Sequence, residues 1–74
     1  MSKSVSLHVF RSARRHLMDA RHCDALRRAS PIPSVNTAAT EAFSRAMEAL
    51  MVELEQLDRL GTLDRIEAFL KRSD

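Results

Sequence analysis

The side chains best equipped for chemistry in this 74-residue chain cluster in its first third. His16, Asp19, His22 and Cys23 follow one another at helical steps, and His8 precedes them. Histidine, aspartate and cysteine together suggest zinc, which takes N, S and O ligands little more than about 2 Å from the metal. On a helix rising about 1.5 Å per residue, His16 and His22 stand roughly 9 Å apart along the axis. The i,i+4 histidine pair of helix-borne zinc sites is missing. No metal site is expected, and the histidines read as solvated members of a basic face.

Catalysis fails on similar grounds. A nucleophile needs a base within hydrogen-bond reach and a third group to orient that base. Adjacent residues on a helix diverge by about 100°, so His22 does not point along Cys23. A single glycine, Gly61, rules out a glycine-rich phosphate loop. The expectation is a protein without enzyme activity, cofactor or metal.

Arginines are the other candidates. Residues 1–30 carry seven basic against two acidic residues, net +5, while residues 31–74 carry five against eight, net −3. Arg11, Arg14, Arg15 and Arg21 therefore offer contacts to an acidic protein or to nucleic acid, or pair with the acidic second half. There is no Trp or Tyr and only three Phe, so platforms for stacking bases are scarce.

These residues must be positioned by helices. Ala, Leu, Arg and Glu dominate, with one Gly and two Pro, a composition that favours helix. Residues 1–9 form a lead-in in which Val5, Leu7 and Val9 alternate with Ser4, Ser6 and His8. That period of two fits a short strand or the start of a helix. A basic helix follows over 10–29, with Phe10, Ala13, Leu17 and Ala20 on one face and Arg11, Arg15, Asp19 and His22 opposite. Pro31 and Pro33 break it, giving a linker over 30–37 that ends in an N-cap at Asn36 or Thr37. A central helix spans 38–60, and Gly61 stops it. Thr62 caps a short C-terminal helix over 62–72, faced by Leu63, Ile66 and Leu70 with Phe69 beside them.

The central helix carries the clearest pattern. Phe43, Met47, Leu50, Leu54 and Leu57 step by four and three, the spacing of a coiled-coil seam. Ala39, Ala42, Ala46 and Ala49 flank it, and the apolar arc covers more than half the helix. One neighbour needs a stripe of only about 100°. So wide an arc calls for neighbours on two sides, and the second is a second copy or a target protein. Glu53 falls among the alanines, at an interface edge or opposite an arginine of the first helix.

A strand, a basic helix and a second helix together resemble the outline of ribbon–helix–helix proteins. That resemblance implies two chains pairing their strands in the major groove, with Ser4, Ser6 and His8 pointing outward and Lys3, Arg11, Arg14 and Arg15 on phosphates. The 30–37 connection is long for such a protein, and the outward strand residues lack the Arg, Asn or Gln that read bases.

The sequence thus predicts a single all-α domain of three helices, optionally with the short N-terminal strand, acting as a dimer. It is expected to be a protein-binding regulator, adaptor or inhibitor, with DNA binding of ribbon–helix–helix outline as the alternative. The longest apolar run, Ala49 to Val52, is far too short to span a bilayer, so no membrane partner is expected. A single cysteine, Cys23, forms no internal disulfide, and no apolar leader follows Met1; both suit an unprocessed cytoplasmic protein.

Overall fold

A computed structural model describes residues 2–73, with side chains described from 4 to 72. The fold is all-α: α1 (Ser2–Ala29), α2 (Pro33–Arg59) and α3 (Thr62–Ser73). The first two form a long antiparallel hairpin, and α3 packs mainly against α2. Overall dimensions are 47 × 28 × 14 Å. The thinnest direction holds no more than two helix axes, given axis separations of about 8–10 Å.

In the single chain, residues 4–9 are helical and extend α1 to Ser2, so the helix does not wait until residue 10. The alternating segment also meets a helical demand. The shielded positions of α1 include Ser6, Val9, Ala13, His16, Ala20, Cys23 and Arg27, which step by three and four, and Ser6 and Val9 continue that row. A lone strand here leaves its backbone N–H and C=O groups without a ladder, whereas the helix satisfies them internally.

The connection is three residues, 30–32, shorter than the expected 30–37 linker. Pro31 lacks an N–H and disfavours helical geometry at Ser30, and the last helical bond runs from the Ser30 N–H to the Leu26 carbonyl at 3.0 Å. Pro33 then opens α2, because its fixed φ suits the first helical position, where the N–H has no partner in any case. Neither Asn36 nor Thr37 is the cap. Ile32 occupies that position in extended conformation, without a side-chain cap bond. Asn36 Nδ2 instead donates to the Ser30 carbonyl at 2.6 Å, and the Ile32 N–H donates to Ser30 Oγ at 3.2 Å, closing the turn.

Gly61, at φ 75°, ends α2 in the left-handed conformation that glycine adopts without Cβ strain. Its N–H donates to the Asp58 carbonyl at 3.0 Å, and its own carbonyl accepts the first bond of α3, from Arg65. Thr62 therefore lies inside α3, and its hydroxyl turns to α1, meeting Ser6 Oγ at 2.7 Å.

The core is slight. Among the described residues Val9, Ala13, Ala20, Ala39 and Leu57 are its buried apolar members, and Leu57 is the one large side chain fully enclosed.

Candidate functional site

The hairpin seam selects small residues. On α1 it uses Val9, Ala13 and Ala20, while Phe10 and Leu17 are displaced to one flank and stay nearly half exposed. On α2 the shielded row includes Ala39, Phe43, Ala46, Leu50, Glu53 and Leu57. It shares three members with the expected seam and leaves Leu54 41% exposed. The five seam residues thus divide. Leu57 belongs to the core. Phe43, half-buried, carries the Arg27 guanidinium 4.3 Å from its ring centroid, a cation–π contact. Leu50 and Leu54, with Leu57 at the floor, face an open groove. Met47 is half-buried beside them.

This groove, of about 200 Å³, is the site the three helices build together. Phe10, Ala13, Arg14 and Leu17 of α1, Leu50, Leu54 and Leu57 of α2, and Leu63 and Ile66 of α3 line it. Arg14 supplies the one charge, at the rim. The sequence reading did not bring α3 into this site. Its signal was the Leu63–Ile66–Leu70 stripe, but what that stripe meets depends on the angle set at Gly61. The Ser6–Thr62 bond ties the start of α3 to α1, next to a shallower cleft lined by Ser6, Thr62, Arg65, Ile66 and Phe69. Beyond it Phe69 and Leu70 are 60% and 57% exposed, and Met51 of α2 is 58% exposed.

Arg11, Arg14, Arg15 and Arg21 are all exposed on α1. The first three border one shallow hollow with Met18, and Arg21 borders another with Met18 and His22. The option that they pair with the acidic second half fails within the chain. Among the described residues every ion pair lies inside one helix: Asp24 with Arg27 at 2.7 Å and Arg28 at 3.1 Å, Glu55 with Arg59 at 3.9 Å, and Glu67 with Lys71 at 3.1 Å. Glu53 is half-buried in the seam, but no arginine of α1 reaches it. The Arg27 hydrogen bond, at 2.8 Å, holds the Asp24 carboxyl below the usual aspartate value, with a smaller contribution from Arg28. The side chain of Lys3 lies outside the described residues.

His16 is half-buried, 3.5 Å from Ser12 Oγ, while Asp19 and His22 are exposed. Among the described residues no three His, Cys, Asp or Glu side chains converge as a metal site. Within the same residues no helix is long and apolar enough to cross a membrane.

The chain exposes 5955 Å², whereas a folded monomer of 8.4 kDa exposes roughly 4,600 Å². Its radius of gyration is 15.7 Å, against about 11 Å for a compact chain of this length. Comparison with protein-family models, curated proteins and solved structures finds no match to this chain.

Proposed function

We propose that this chain is a non-enzymatic, protein-binding regulator or adaptor of the cytoplasm that works as a homodimer through its helix faces. The observation that carries this reading is the surplus of exposed surface, beside large apolar side chains left 41–60% exposed. The excess over a compact monomer is about 1,300 Å². A standard interface removes roughly 800 Å² from each partner, so the surplus is enough for one. Leu50, Leu54, Phe10 and Leu17 supply the apolar centre such an interface needs, and Arg14 stands at its rim.

The test is sedimentation over a concentration series. The wild type is expected to dimerise in the micromolar range, and Leu54→Glu to abolish dimerisation, because a buried unpaired charge costs several kcal/mol. A helical wild type that stays monomeric at high micromolar concentration would sink the reading.

Nucleic acid is the second reading, supported by four exposed arginines without acidic partners among the described residues. Such binding must weaken steeply with salt, by close to one power of concentration per phosphate neutralised.

A further inference from the structure

The exposed flanks of the hairpin carry charge in two ordered rows. Arg14, Arg21 and Arg28 recur every seven residues along α1, two turns apart, and Arg14 of this row lines the groove. Glu41, Glu48 and Glu55 recur every seven along α2, on its outer edge away from α1. Each backward step of seven from Glu55 matches one forward step of seven from Arg14, so a single antiparallel offset aligns all three pairs. The chain cannot close them itself, since the glutamates face away from its own α1. Arg14, Arg21, Glu41 and Glu48 have no ion-pair partner among the described residues. Arg28 and Glu55 make one intrahelical pair each, with side chains 76% and 62% exposed. Pairs that exposed contribute little and exchange readily.

We propose that the groove of each chain is covered by a second copy, with α1 of one lying antiparallel on α2 of the other in the register Arg14–Glu55, Arg21–Glu48 and Arg28–Glu41. This rests on the homodimer reading and specifies its geometry. A two-fold axis running along the helices stacks α1 on the partner's α2 twice, so every pair forms twice. An axis across the helices stacks α1 on α1 and brings arginine rows together. Leu54, Leu50, Phe10 and Leu17 form the apolar centre, and the charged rows flank it as the edge charges of a coiled coil do. A polyanion satisfies the arginine row alone; a second copy satisfies both rows.

The experiment uses two charge-reversed chains, Arg14→Glu/Arg21→Glu and Glu48→Arg/Glu55→Arg. Sedimentation equilibrium measures each alone and both in equimolar mixture, with circular dichroism to follow helix content. Each variant alone places like charges opposite one another and is expected to dimerise at least about tenfold more weakly than wild type. The mixture restores every pair, the two between the altered residues with reversed sign and the others as in wild type, and is expected to form a heterodimer near wild-type affinity. Arg14→Gln/Arg21→Gln, which removes charge without repulsion, should fall between. A dimeric wild type whose variants self-associate unchanged, or whose mixture shows no recovery, overturns the register and leaves the homodimer standing. A wild type monomeric throughout overturns both. If that monomer binds a DNA duplex and Arg14→Glu/Arg21→Glu abolishes the binding, nucleic acid is the occupant instead.

Discussion

The hairpin seam and the groove face differ in an unexpected direction. Among the described residues the buried apolar ones are three alanines, one valine and one leucine, while Phe10, Leu17, Met51, Leu54, Phe69 and Leu70 stand 41–60% exposed. A fully buried large apolar side chain contributes about 1.5–3 kcal/mol and each methylene about 0.8. About half of the hydrophobic energy of those six large side chains therefore stays on the surface. A chain divided this way gains close helix pairing inside while its large apolar groups stay half exposed.

The comparison breaks most readily at Leu57. Leu57 is the one large side chain fully enclosed among the described residues, so Leu57→Ala should cost about 2–5 kcal/mol of folding stability. That is a large share of what so small a domain holds, and thermal unfolding measures it at any protein concentration. On the face, Leu54→Ser should leave the dilute chain's melting temperature nearly unchanged and remove its rise with concentration, because association stabilises by mass action. If Leu57→Ala and Leu54→Ser behave alike, the division into seam and face is wrong.

A smaller effect comes from the opposite change. Ala20 is 2% exposed, at the close approach of α1 and α2. Ala20→Leu adds volume where there is none to spare and should cost about 1–3 kcal/mol. A stabilised variant would show that the seam is loosely packed.

The smallest effect is electrostatic. Arg27 depresses the Asp24 carboxyl in the folded chain. The stability this contributes is fully present above the unfolded aspartate value of about 3.9 and is lost as pH falls through the lower folded value. Carboxyl titration by NMR should place the Asp24 midpoint below that unfolded value, and Arg27→Ala should raise it. Since Arg27 also lies over Phe43, a shift in the Phe43 ring resonances in that variant would report release of the cation–π contact.

Much of this was readable from residue order. Pro31 had to end α1, Gly61 had to end α2, and the apolar steps of the long segments had to make helices, because these constraints act within a few residues through sterics and backbone hydrogen bonding. The split of the basic and acidic halves is likewise a property of the sequence. What neighbouring residues cannot supply is the rotation of one helix against another. A helical wheel ranks positions by hydrophobicity and so favours Phe10 and Leu17 for the seam. The folded hairpin keeps Ala13 and Ala20 of that face in the seam, adds Val9 and displaces Phe10 and Leu17, because long antiparallel helices approach closely only over small side chains. The same tertiary choice pulls Thr62 from a capping role to the Ser6 hydroxyl, turns the start of α3 onto the groove, and separates Phe43 from Leu54 although both lie in one sequence stripe. Local chemistry fixed where α1 and α2 end; only packing between segments far apart in the chain decided which faces they bury.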